Sequence, residues 1–149
     1  MSTLQRSALL PYAADALYAL VCDIESYPQF LPGCVAATVE ARDETANPPY
    51  VRARLGFGVK GIHDTFVTEN RLTPGERIEM TMVEGPFKRL SGSWEFKPLR
   101  ADACKVLLDL DFDLGSRVLV VTLGPWLHLG ATQAIDAFTR RAREVLGGD

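Results

Sequence analysis

The chain has 149 residues and a formal net charge of −3, with a sequence pI near 5.4. That acidic balance exerts no general attraction on phosphate backbones or anionic lipid, so a nucleic-acid partner would need a local basic patch. Hydrophobic residues make up 47% and charged residues 23%, which predicts one domain over 1–149 with a sizeable core, and no apolar run approaches the roughly 20 residues that cross a bilayer.

Residues 3–10 read as a first strand, closed by Pro11. From Ala13 to Ile24 the period becomes helical, with Ala16, Leu17, Leu20, Val21 and Ile24 on one stripe. The segment Ser26-Tyr27-Pro28-Gln29-Phe30-Leu31-Pro32-Gly33 interrupts it, and its prolines leave room for at most a short helical turn. Strands then dominate. Residues 34–42 form one and residues 50–58 the next, with Val51, Ala53, Leu55 and Phe57 on one face and Arg52 and Arg54 on the other. Lys60-Gly61 is a tight turn, residues 62–72 alternate through Ile62, Phe66 and Leu72, and Pro74-Gly75 turns the chain again. Ile78, Met80 and Met82 point inward after it.

Gly85-Pro86 opens a further strand that puts Gly92, Trp94 and Phe96 on one face and Ser93, Glu95 and Lys97 on the other. Residues 105–114 turn Val106, Leu108, Leu110, Phe112 and Leu114 inward and Asp109, Asp111 and Asp113 outward. In the tail, Leu119, Leu123, Trp126, Gly130, Ala134, Phe138, Ala142 and Val145 recur at helical spacing. They predict one long C-terminal helix, with Pro125 kinking it or starting its regular part. Successive hairpins followed by an amphipathic helix predict an α+β, helix-grip fold, a curved antiparallel sheet wrapped around the last helix.

The chain offers little catalytic chemistry. Asp109-x-Asp111-x-Asp113-x-Gly115 lacks the glycine and glutamate placement of a calcium loop, and a solvated strand face explains it. His63 and Asp64 point to opposite faces of their strand, and His128, between Leu127 and Leu129, is expected to be a partly buried structural residue. Cys22, Cys34 and Cys104 are odd in number and widely spaced, which supports neither a disulfide framework nor a zinc site. Reduced thiols, and Met1–Arg6 without a signal-peptide pattern, make the cytoplasm the expected compartment. No metal, no cofactor and no catalytic group is expected, and a cyclase- or hydrolase-like enzyme would need a polar group in the pocket, of which the predicted inward faces supply almost none.

Two features point elsewhere. Gly130, Ala131, Ala134 and Ala137 lie between bulky Trp126 and Phe138 on the last helix. Small residues there either let the helix pack closely on the sheet or leave an elongated apolar cavity beneath it. Arg140, Arg141 and Arg143 cluster near the helix end, where they complement its dipole or meet an anionic headgroup or RNA.

Four ordered motifs carry a family resemblance. They are Tyr27-Pro28-x-Phe30-Leu31-Pro32-x-Cys34, Gly85-Pro86-Phe87-Lys88-x-Leu90-x-Gly92-x-Trp94-x-Phe96, Cys104-Lys105-Val106 and Ala137-Phe138-x-x-Arg141-Ala142. Together they resemble the coenzyme Q-binding protein family of the START-like, polyketide-cyclase-type superfamily, which also includes the bacterial ribosome association toxin. The chain departs from the family at Gly33, where Trp is usual.

The resemblance implies a hydrophobic tunnel between sheet and last helix that binds ubiquinone or a similar polyprenyl lipid. The protein would be a non-enzymatic carrier supporting respiration, cytoplasmic or peripheral to the inner membrane. Phe57, Phe66, Met80, Met82, Trp94, Phe96 and Phe112 would line the sheet wall. Leu123, Trp126, Leu127, Ala131, Ala134 and Phe138 would line the helix wall. Tyr27, Phe30, Leu31 and Phe87 complete the expected lining, with the loop Tyr27–Cys34 and the Gly124-Pro125 break flanking the mouth. The alternative within the family is a toxin that binds the large ribosomal subunit and blocks subunit joining. A DNA partner is not expected.

Overall fold

The computed structural model describes residues 2–59 and 61–147, apart from the side chains of residues 2 and 130–132. Its strands are β1 (Ser2–Leu10), β2 (Cys34–Asp43), β3 (Tyr50–Val59), β4 (Ile62–Thr73), β5 (Arg77–Glu84), β6 (Arg89–Arg100) and β7 (Ala103–Asp113). Helix α1 covers Ala14–Cys22, a 3-10 helix covers Ile24–Gln29, and α2 covers Arg117–Leu146. The strands form one antiparallel sheet in the order β1-β7-β6-β5-β4-β3-β2. From β2 to β7 each strand pairs with the next. β1 instead pairs with β7, and α1 with the 3-10 helix carries the chain to the opposite edge at β2. Helix α2 returns across the concave face, as the helix-grip expectation requires.

Alternation decides which face each strand buries. Val51, Ala53 and Phe57 on β3 are buried, while Arg52 and Arg54 point outward to the carboxylates of Glu40, Glu69 and Glu84. On β6, Trp94 lies opposite Ile78 of β5 and Leu108 of β7, so three buried residues form one inward row. Beside it Gly92 faces Met80 and Leu110. A Cβ at Gly92 would stand 2.4 Å from the Asp109 carbonyl oxygen, so only glycine allows this close approach of β6 to β7. Leu17 and Val21 of α1 and Leu123, Ile135, Phe138 and Ala142 of α2 complete the core.

Three expectations need correction, and Lys60, half of one expected turn, lies outside the described residues. Val145, counted on the buried stripe of α2, is 53% exposed, because the last turn runs past the sheet it packs on. His128 is exposed and rests the edge of its ring on Phe112, 5.6 Å between centroids. Finally, α2 contains an 18-residue window of mean hydropathy 1.4, long and apolar enough to cross a bilayer by length and composition alone. Counting strictly apolar runs misses it, since Thr122, His128 and Gln133 interrupt the run without adding charge. In the fold this helix buries Leu123, Ile135, Ala137 and Phe138 against the rest of the chain, yet leaves Val118 and Val121 almost 70% exposed, at 69% and 68%.

Candidate functional site

An apolar cavity lies between the concave face of the sheet, the 3-10 helix and α2. It has three lobes that adjoin around Tyr27 and Met80, which line all of them. The first lobe, about 190 Å³, opens between the end of α1 and the β2–β3 hairpin. Its rim carries Cys22, Arg42, Glu44 and Tyr50, and Ile78 and Trp94 form its floor. The middle lobe, about 170 Å³, lies over β3 and β4, with Leu55, Phe66, Thr68 and Asn70 on one side and Leu110 and Leu127 on the other. The third, about 180 Å³, runs under α2 between Leu31, Pro32, Trp126, Ala134 and Phe138.

Local sequence positions these walls. The Pro28-containing 3-10 helix turns the Tyr27 ring inward, where its hydroxyl donates to the Val21 carbonyl. Tyr27 and Phe30 then pack edge-on against Phe138, at 5.4 and 5.0 Å between centroids, which clamps α2 to the segment after α1. Arg141 reinforces the clamp. It donates to Gln29 Oε1 at 3.0 Å and holds its guanidinium 5.3 Å from the Phe30 ring centre. The expected arginine cluster therefore divides: Arg141 is engaged in the fold, while Arg140 and Arg143 stand in solvent.

Tyr27, Leu31, Phe66, Met80, Trp94, Trp126, Leu127, Ala134 and Phe138, all expected in the lining, do line the cavity. Other expected residues stand behind it. Phe57 stacks between Phe87 and Trp126, at 5.8 and 5.5 Å, as a packed aromatic wall. Phe96 stacks on Trp94 and meets Tyr18 edge-on; Leu123 is fully enclosed in the core. Phe30 and Met82 pack against the core without facing a lobe. Phe112 borders a separate outer hollow with Gly124, Pro125 and His128, so Gly124-Pro125, which lie inside the uninterrupted α2, flank that hollow and not the interior one. The side chain of Ala131 lies outside the described residues.

The interior is less uniformly apolar than the sequence suggested. Thr68 and Asn70 are both buried and face the cavity from β4. Strict counting by two from Phe66 to Leu72 places both on the inward face. Tyr18, Cys22, Leu55 and Leu110 also line it; their signal was weaker because each depends on how neighbouring elements pack. Burial pushes the Tyr18 and Tyr27 phenols and the Cys22 thiol above their ordinary ranges, so these groups stay protonated near neutral pH. Among the described residues, no group of three His, Cys, Asp or Glu side chains comes together as a metal site.

Comparisons with known proteins agree with this geometry. A family model described as polyketide cyclase / dehydrase and lipid transport matches residues 10–139. The chain is 45% identical to a ribosome association toxin of Pseudomonas aeruginosa, over 99% of this chain and 100% of that protein. Its counterpart in Escherichia coli K12 is 39% identical over 97% of this chain and 89% of its own length. A mitochondrial coenzyme Q-binding protein of Schizosaccharomyces pombe is 26% identical over 75% of this chain and 69% of its own. Among solved structures, an aromatase/cyclase from Streptomyces superposes with a TM-score of 0.82 at 17% identity, covering 99% of each chain, which is a likeness of fold. An 18 kDa protein of Caulobacter crescentus reaches 0.79 at 28% identity over 99% of this chain and 100% of its own. With the helix-grip sheet, the interior cavity and the four ordered motifs in agreement, the chain belongs to the START-like polyketide cyclase and lipid transport family, in the branch that holds the ribosome association toxins and coenzyme Q-binding proteins.

Proposed function

We propose that this protein is a non-enzymatic carrier that takes a polyprenyl-quinone-like lipid into the cavity under α2. The observation that carries this reading is the three-lobed interior, walled by Tyr27, Phe66, Met80, Trp94, Trp126 and Phe138. Apolar surface transferred from water contributes roughly 25 cal/mol per Å², so an isoprenoid chain needs few polar contacts to bind. The distant relative named as a coenzyme Q-binding protein supports the ligand class. The protonated Tyr18, Tyr27 and Cys22 add no ionised acid or base to the interior walls, and Arg42 and Glu44 stand only at the rim of the first lobe, which favours carriage over catalysis. Exposed Val118, Val120 and Val121 at the start of α2 give the protein an apolar edge for transient contact with the inner membrane from the cytoplasm. Lipid extraction with mass spectrometry, on protein purified from its own host, tests the reading. A co-purifying prenyl quinone or related lipid is expected; none, with no uptake on addition, overturns it.

A second reading has its own support: relatives at 45% and 39% identity over nearly the whole chain bear the name ribosome association toxin. In that reading the outer surface acts, with Arg140 and Arg143 presented to rRNA. Co-sedimentation with the large subunit that is lost on neutralising these two arginines is the expected result. The acidic net charge works against it, since phosphate binding rewards net positive surfaces.

A further inference from the structure

Asn70 is an anomaly in this cavity. It lies on β4, an interior strand of the sheet, opposite Val51 and Met80, and is only 6% exposed. Asparagine is disfavoured in strands, and its carboxamide costs free energy when buried without partners. Yet Asn70 Oδ1 is fully buried and has no hydrogen-bond partner. The other such atom among the described residues, Arg77 Nε, at least lies 3.3 Å from Glu79 Oε1. Asn70 Oδ1 has no such compensation.

Position explains what packing does not. Asn70 lies on the wall shared by the first and middle lobes, between the charged rim at Arg42 and Glu44 and the apolar space that continues under α2. Two residues away on the same face is Thr68, a second polar side chain of the middle lobe. The remaining walls of that lobe are almost entirely apolar: Ile24, Ala53, Leu55, Phe66, Met80 and Leu127. A molecule that fills the apolar lobes with its tail therefore brings its head to Asn70.

We propose that Asn70 is the polar anchor of the cavity, its Oδ1 accepting a hydrogen bond from a hydroxyl on the head of the bound lipid. This rests on the carrier reading above and narrows its ligand class. A head with a hydroxyl, such as a hydroquinone, a phenol or a prenyl alcohol, satisfies the open acceptor. A head that offers only carbonyl or ether oxygens can accept from the Asn70 amide or the Thr68 hydroxyl, but it presents acceptor to acceptor at Oδ1 and leaves that atom unsatisfied. The site thus favours the reduced or phenolic form of a quinone-type lipid over the oxidised form by the one hydrogen bond that Oδ1 accepts.

The test measures binding of a para-alkylphenol and its methyl ether, which share size and tail and differ in the one donor. Wild-type protein is expected to bind the phenol about tenfold more tightly, the order of one well-made buried hydrogen bond. Asn70→Leu is expected to bind both equally, and to unfold at no lower temperature than the wild type without ligand, because it removes an unsatisfied buried acceptor. If the leucine does not fold, Asn70→Val gives the same readout with a smaller, strand-favouring side chain. Equal binding of phenol and ether by the wild type, tighter binding of the ether, or a preference that survives in the variant overturns the anchor while leaving the carrier reading intact. Failure of the wild type to bind either probe overturns the carrier reading, and the anchor with it.

Discussion

Gly33 and Trp126 occupy one another's space: a Cβ on Gly33 would stand 2.7 Å from the indole Nε1 and 3.0 Å from Cε2. Gly33 also has φ of 82°, in the left-handed region. Family resemblance makes Trp usual at position 33. Here the indole that walls the third lobe comes from α2, and the loop gives up its side chain to admit it. Gly33→Ala should therefore destabilise twice over, once through φ and once through the clash, by about 2–4 kcal/mol in all. In a Trp126→Ala background the steric part vanishes and about 1–2 kcal/mol should remain. A double-mutant cycle from urea unfolding measures that coupling; strict additivity would show that loop and indole do not compete.

Ala134 offers a way to separate the interior from the surface. It lines the third lobe beside Trp126 and Phe138 and is only partly buried. Ala134→Phe should fill that lobe and lower lipid affinity at least tenfold, with the circular dichroism spectrum unchanged. Ribosome co-sedimentation, if it occurs, should be untouched by the same variant, because the added ring points inward.

Thiol chemistry reports on the same space. Cys22 lines the first lobe and Cys104 is fully buried, and desolvation raises both thiols above the ordinary range. At pH 7 the thiolate fraction of each is small, so alkylation should be slow and should accelerate as pH rises. Bound lipid should protect Cys22 further, while Cys104 should react only on unfolding. Peptide mapping after timed alkylation reads both. Faster labelling of Cys22 with lipid present would contradict its place in the lining.

Glu40 supplies a pH test on the outer face. Its hydrogen bond to Arg54, at 2.9 Å, holds the carboxyl below the ordinary value of 4.5, and Arg52 adds a second contact at 3.4 Å. A depressed native pKa means the unfolded chain binds the proton more readily. The contribution is thus complete above 4.5 and is lost as pH falls through the native value. Glu40→Gln should lower the urea midpoint slightly at pH 7, and the gap to wild type should close as pH falls below 4.5 and through the lowered native value. The loss is small because the group is exposed and screened by solvent. A gap that widens in acid would contradict the assignment.

Which parts of this molecule were legible in the chain follows from the range of the interactions involved. Alternation by two is a local property, so the residues facing inward on β3, β5, β6 and β7 were readable one strand at a time. The helix-grip order followed from hairpin spacing and one long helical period. Arg141 was readable as part of a motif but not as a clamp on Phe30 and Gln29, because that contact joins positions more than a hundred residues apart.

By itself, then, the sequence determined the α+β class, the strand faces, the family and the supply of aromatic residues for an interior. Only the tertiary structure decided which aromatics enclose space and which fill it. Phe57 and Phe96 alternate inward just as Trp94 does, yet Phe57 is sandwiched between Phe87 and Trp126, and Phe96 is covered by Tyr18 of α1, whereas Trp94 faces two lobes. It also decided that Asn70 stands alone. A strand pattern reveals the face a side chain takes, but whether a buried amide finds a partner depends on every element packed above it.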